Sequence, residues 1–206
     1  LAEAESFENA ILRFEENALL QDRKPKEFKL LFYARPEAHA ARNMFEIAYL
    51  ALVRAIQAGH FDAANWSFHG IGSQHEDIPL ARGHSLKMLG KFGLNEYKQR
   101  LMEYDLGLSL MYTPHPSLLP LEMAAAGMWV VSNECKNKTQ QALSSISGNL
   151  LAARPSIDGV VEELARAASQ VTDFSARREG AKVNWASSWD DTFNQNKMQL
   201  IQRWLK

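Results

Sequence analysis

Residues 106–132 read LGLSLMYTPHPSLLPLEMAAAGMWVVS, and their pattern is strand, helix, strand. The apolar run 106–111 is long enough for one buried strand. A loop with Pro114 and Pro116 follows. Residues 118–126 predict a short helix ended by Gly127, and the apolar run 128–131 predicts the next strand. Two strands joined by a helix are the repeating unit of a parallel sheet.

The chemistry lies at the start of that helix. Ser117 is placed to cap it, which makes Leu118, Leu119 and Leu121 the first free amides. Pro120 has no N–H, and in a first turn no intrahelical bond is lost by that. A helix N-terminus after a strand favours an anion, phosphate above all. Glu122 follows one turn in, where a carboxylate can accept hydroxyl hydrogen bonds such as those of a ribose. The local chemistry alone also allows Glu122 to be a helix glutamate placed to suit the dipole.

The string Pro116-Ser117-Leu118-Leu119-Pro120-Leu121-Glu122-Met123-Ala124, with Gly127 and Val130-Val131 behind it, resembles the LEAMAxGxPVV motif of GT-B glycosyltransferases of family 4 (group 1). The TPHPS-x-x-PLEMA form resembles rhamnosyltransferases of surface-polysaccharide (rhamnan and O-antigen) synthesis, over about residues 29–142. In that family two glutamates lie eight positions apart. Glu122 matches the second, which holds the ribose of the sugar nucleotide. The first falls at Pro114, a departure at the position that meets the donor sugar. The resemblance implies an α/β fold: a Rossmann-like, doubly wound parallel sheet of about six strands, the C-terminal half of a GT-B enzyme.

Working outward, residues 29–33 predict the first strand and 37–58 one long helix, with Phe45, Ala48, Tyr49, Leu52 and Ile56 on its apolar face. Arg35 at the strand end and Arg42-Asn43 resemble the family's basic residues that reach the donor diphosphate. Fixed cations there would stabilise the charge growing on a leaving nucleoside diphosphate. A strand-end surface charge and a solvated helix face are the plainer readings of the two arginines. Residues 65–71 predict a second strand, with Trp66 and Phe68 alternating with polar neighbours, and 85–89 a third. Gly90, Lys91 and Phe92 stand where the family receives the base. Phe92 reads equally as a stacking surface or as a core aromatic. A helix over 95–104 precedes the 106–111 strand, and Tyr104-Asp105 stands where the family often has Ala-Asp.

Beyond residue 132, the NECKN loop of residues 133–137 resembles a loop of the same rhamnosyltransferases. Residues 139–143, 157–171 and 174–186 predict helices, and 150–151 a last strand. Trp185, Trp189, Phe193, Leu200 and Trp204 fall at helical spacing, a stripe read mostly as core packing. Upstream, Phe7, Ile11, Phe14 and Ala18 predict a helix over 4–20, followed by a polar linker over 21–26. The expected layout is a helix and linker over 1–27, a nucleotide-sugar-binding domain over 28–184 and an amphipathic helix over 185–206.

With 206 residues, 46% of them hydrophobic, the chain can bury one sizeable core. A net charge of −1 argues against a nucleic-acid partner. The single Cys135 excludes an internal disulfide framework. No run reaches transmembrane length. His69 and His75 read as ordinary loop histidines, and no His, Cys or Asp spacing suggests a metal site. The chain begins at Leu1 inside an amphipathic pattern, so a fragment of a longer protein is expected.

The resemblance implies transfer of a sugar from a nucleoside-diphosphate donor to a saccharide acceptor. The implied donor is dTDP-rhamnose, with UDP- and GDP-sugars as alternatives, and no metal or further cofactor is implied. The acceptor site would lie in an N-terminal GT-B domain absent from this chain, without which this half would be inactive. A cytoplasmic location follows, including the inner face of the membrane. The alternatives are a non-catalytic sugar-nucleotide or glycan-binding module and a GT-B sugar-nucleotide epimerase half. A dinucleotide oxidoreductase is disfavoured, because Ala34-Arg35-Pro36-Glu37 stands where G-x-G-x-x-G belongs.

Overall fold

The computed structural model describes residues 27–186, 188, 192–193 and 195–204. The expected N-terminal helix, its linker and Trp189 lie outside the described residues. In chain order the elements are β1 (Phe28–Tyr33), a 3-10 helix (Ala38–Asn43), α1 (Phe45–Gln57), β2 (Trp66–Ile71), β3 (Ile78–Pro79) and β4 (Ser85–Met88). Then come α2 (Leu94–Leu101), β5 (Leu106–Leu108), α3 (Leu118–Ala125), β6 (Trp129–Asn133), α4 (Gln140–Ile146) and β7 (Leu150–Ala153). The last are α5 (Ile157–Ser169), α6 (Phe174–Gly180) and α7 (Gln195–Trp204).

The strands form one sheet in the order β3-β4-β2-β1-β5-β6-β7. All neighbours are parallel except β3, which runs antiparallel to β4. This is the expected doubly wound sheet with one strand more. The addition, Ile78-Pro79, is too short to show periodicity, and its proline is tolerated because the strand is at an edge.

Strands β5, β6 and β7 are buried on both faces, which is why they read as largely apolar runs. Leu30 and Phe32 point into one cluster, with Ala48 and Leu52 of α1 and Val160 and Leu164 of α5. Leu31 points the other way, into a cluster with Leu121 and Met123 of α3 and Leu143 of α4. β2 alternates because its two faces differ: Trp66 and Phe68 are buried in the first cluster, while Ser67 and His69 are half-buried. His69 therefore belongs to a strand and not to a loop. Gly107 of β5 lets α3 lie close, because a Cβ there would come within 2.7 Å of Met123 Sδ.

Two further expectations change. The helix over 37–58 is broken at Met44, which takes a left-handed φ of 50°. The Arg42 carbonyl accepts from the Tyr112 N–H at 2.7 Å and so turns towards the loop after β5. Asn43 Nδ2 donates back to the Ala40 carbonyl at 3.0 Å, closing the 3-10 turn. The C-terminal aromatic stripe does not pack as core. Among the described residues Trp185, Phe193, Leu200 and Trp204 are exposed, and α7 has no buried residue.

A buried ion pair ties the end of the fold to its centre. Arg177 of α6 is 1% exposed, and its guanidinium lies 3.1 Å from the Asp105 carboxylate just before β5. Its other N–H groups donate to the Gly127 and Val171 carbonyls at 2.7 and 2.9 Å.

Candidate functional site

The chain runs from β1 outward through β2 to β4, then returns to β5 and runs the other way to β7. β1 and β5 are therefore the neighbours at which the strand order reverses, where open α/β sheets take their ligands, beyond the strands' C-terminal ends. Arg35 follows β1, Gly90 to Phe92 follow β4 and Ser117 to Leu119 start α3, while Arg42 ends the 3-10 helix and Glu122 lies one turn inside α3.

Arg35 leaves β1 and is held by three side chains. Its Nε donates to Glu37 at 3.1 Å, one terminal nitrogen donates to the Tyr33 hydroxyl at 3.2 Å, and the other lies 3.4 Å from His39 Nε2. The Tyr33 bond is the largest influence on the guanidinium and raises its pKa further. Burial pushes the Glu37 carboxyl up, but bonds from its own backbone N–H, Ser73 and Arg35 outweigh that and hold it below its ordinary value. Gly72, at the end of β2, makes room for the pair. A Cβ there would lie 2.6 Å from Tyr33 Cε2 and 2.9 Å from Arg35 Cδ, and its φ of +104° suits glycine.

Arg42 sits at the end of the 3-10 helix, exposed and without an ion pair among the described residues. Its carbonyl contact with Tyr112 fixes that helix beside the loop joining β5 to α3. The apolar run 106–111 outlasts β5 through side-chain bonds. The Met111 N–H donates to Asn133 Oδ1 at 2.7 Å, and Lys138 Nζ donates to the Met111 carbonyl at 2.8 Å. Lys138 is 2% exposed, and burial pushes its pKa down, opposed in part by Cys135.

The loop delivers Ser117 to the N-cap of α3 at a φ of 72°, a backbone region rarely used by non-glycine residues. Its N–H donates to His115 Nδ1 at 3.0 Å, and the His115 ring meets Trp185 edge-on. The Ser117 hydroxyl makes no capping bond. The Leu118 and Leu119 amides, the first of the helix, therefore stay open among the described residues. Such a terminus is a donor pair for an anion.

Glu122 is half-buried one turn further on. Its Oε2 accepts from the Tyr97 hydroxyl of α2 at 2.7 Å. Burial, the Glu122 charge and that bond push the Tyr97 phenol far above its ordinary pKa, with Tyr33 adding to the effect. Tyr97 is therefore a neutral donor at every working pH.

Gly90, Lys91 and Phe92 follow β4, and the Gly90 carbonyl accepts from the Gly72 N–H at 3.1 Å. Lys91 is exposed. The Arg100 guanidinium lies 4.8 Å from the Phe92 ring centroid and is anchored to Glu96 at 3.0 Å. One face of Phe92 is thus already stacked. Above Gly90 and Gly93 the space is open, since a Cβ on either would meet nothing within 4 Å.

Phe92, Tyr97 and Tyr33 pack against the cluster on one face of the sheet; Glu122 joins it through Tyr97, and Arg35 through Tyr33. Arg42 joins through the β5–α3 loop. No hydrogen bond or ion pair links Lys91 to Arg35, Arg42 or Glu122 among the described residues. Sequence reading missed Tyr97 and Tyr33, which carry no local signal, and the burial of Lys138. No three His, Cys, Asp or Glu side chains among the described residues are grouped to hold a metal ion. No helix there is long and apolar enough to cross a membrane.

Residues 28–165, more than half of the chain, match the family model described as WsaF, C-terminal domain. The O-antigen biosynthesis protein RfbC of Myxococcus xanthus is 32% identical over 177 residues, covering 79% of this chain and 12% of that protein. WaaG, a glycosyltransferase involved in lipopolysaccharide biosynthesis, superposes with a TM-score of 0.55 at 16% identity, over 94% of this chain and 50% of that one. HepE of Anabaena, solved with UDP and glucose, superposes at 0.56 and 13% identity, over 95% of this chain and 52% of that one. The chain thus has the fold of half a glycosyltransferase of this class and spans only a small part of the curated relative it matches.

Proposed function

The chain belongs to the family of WsaF C-terminal domains, and from that membership we propose that it is the donor-binding half of a GT-B glycosyltransferase of polysaccharide synthesis. The parent enzyme transfers a sugar from a nucleoside diphosphate to a saccharide acceptor held by another domain. The donor is dTDP-rhamnose. The similarity to an O-antigen biosynthesis protein and the fold shared with nucleotide-sugar enzymes support the class.

The observation that carries the reading is the half-buried Glu122 carboxylate one turn behind an uncapped helix N-terminus, at the reversal of strand order. The Leu118 and Leu119 amides bind the diphosphate, with Ser117 shaping the turn. Arg42 and Arg35 supply cations for the charge that develops as the sugar leaves. Glu122 accepts a hydrogen bond from the sugar ring of the nucleoside. The Gly90–Phe92 loop receives the base, with Phe92 stiffened from behind by Arg100.

Calorimetric titration of the chain with dTDP, UDP and GDP tests this. The expected result is binding of dTDP in preference to the other two, weakened in Arg42→Ala. Preferential binding of UDP or GDP would keep the site and overturn the donor. A folded chain that binds none of the three would overturn the proposal.

A further inference from the structure

We propose that Tyr97 tunes this site to 2′-deoxyribonucleoside diphosphates by occupying one oxygen of Glu122. The inference rests on the donor-site reading and adds a specificity residue to it.

A carboxylate facing a ribose can accept from both vicinal hydroxyls, one on each oxygen. In Glu122 the two oxygens are not equivalent acceptors. Its Oε2 already accepts a short bond from the Tyr97 hydroxyl, at 2.7 Å. Among the described residues Oε1 accepts from nothing, so one oxygen remains open. Tyr97 is half-buried in the cluster that holds Leu121 and Met123 of α3, so the phenol does not swing away at little cost.

A 2′-deoxyribose presents one ring hydroxyl, the 3′-OH, and matches one open oxygen. A ribose presents two. Its 2′-OH must either displace the phenol, leaving a half-buried donor without an acceptor, or crowd in beside it as a second donor on Oε2, a weaker contact than an oxygen of its own. Discrimination therefore comes from an acceptor already engaged, not from a contact added.

The test is titration of the whole chain with three ligands: dTDP, its ribo counterpart 5-methyluridine diphosphate, and 2′,3′-dideoxythymidine diphosphate. The wild type is expected to bind dTDP about fivefold or more tighter than the ribo ligand. It should lose roughly ten- to a hundredfold with the dideoxy ligand, as befits a lost charge-assisted bond. Tyr97→Phe frees Oε2 and is expected to bring the dTDP-to-ribo ratio to one or below. A merely structural role would weaken all ligands alike and leave that ratio unchanged. An unchanged ratio in a folded Tyr97→Phe, or a wild type that prefers the ribo ligand, overturns the inference while the donor site stands. If Tyr97→Phe fails to fold, the three wild-type affinities decide the matter. If the dideoxy ligand binds as well as dTDP, or if no ligand binds, the donor-site reading falls and this inference falls with it.

Discussion

The Tyr97 hydroxyl donates to Glu122 Oε2 at 2.7 Å, joining α2 to α3 across 25 residues of sequence. The pair does two things at once: it holds the carboxylate in one orientation and satisfies a phenol that packing has removed from water. Glu122→Ala should therefore destabilise the fold as well as weaken nucleotide binding, by about 1–3 kcal/mol for the stranded donor. Adding Tyr97→Phe should recover part of that loss. Urea unfolding of the two single variants and the double variant measures the coupling. Strict additivity would show that the bond contributes nothing.

Arg35 is already paired with Glu37, so its charge is only partly available to a ligand. Glu37→Gln should tighten diphosphate binding by releasing that charge, and the gain should shrink as salt is added. Affinity for inorganic pyrophosphate at two ionic strengths is the measurement. Weaker binding in the variant would mean that Glu37 chiefly aims Arg35.

The Asp105–Arg177 pair is a stability element rather than a ligand. Removing one partner strands a charge in a site where Arg177 is 1% exposed. Asp105→Ala should cost about 3–5 kcal/mol, enough to consume much of a typical domain's stability. Burial already lowers the Arg177 pKa against the pull of Asp105, so the loss of Asp105 is uncompensated. Chemical denaturation reads it directly.

His69 sets an acid limit. Burial holds its imidazole below the ordinary value of 6.5, Lys29 and Lys87 push the same way, and Glu27 and Glu103 oppose them. Its Nδ1 is buried without a hydrogen-bond partner, and its ring meets Tyr104 edge-on. As pH falls through 6.5 the unfolded chain takes a proton before the native chain does, so stability drops until the lower native pKa is passed. The urea midpoint should fall from pH 7.5 to pH 5 in the wild type, and by less in His69→Gln.

What the sequence shows of this architecture is what is local. The strand–helix–strand reading of residues 106–132 matches β5, α3 and β6, because both faces of those strands are buried and the apolar runs are continuous. Thr139 caps α4 as its side chain allows, accepting from the Ala142 N–H. What the sequence hides is tertiary. Nothing near Met44 marks a helix break, because the cause is the Tyr112 N–H of a distant loop. Nothing in α2 shows that Tyr97 rather than another polar residue meets Glu122. Nothing local marks Arg177 as the arginine that Asp105 and two carbonyls surround. Of the C-terminal stripe only Leu200 and Trp204 lie in α7 among the described residues, Trp185 and Phe193 falling outside it; both faces of the sheet carry other helices, and α7 stays exposed.

The central claim is that a nucleoside diphosphate seats at the β1–β5 rim, with its sugar ring on Glu122 and its phosphates on the start of α3. A crystal structure of the chain with dTDP bound tests it most directly. The account predicts the 3′-hydroxyl within about 3 Å of Glu122 Oε1, Tyr97 still on Oε2, and phosphate oxygens on the Leu118 and Leu119 amides. A diphosphate bound away from α3, or a nucleoside whose sugar does not reach Glu122, would contradict it.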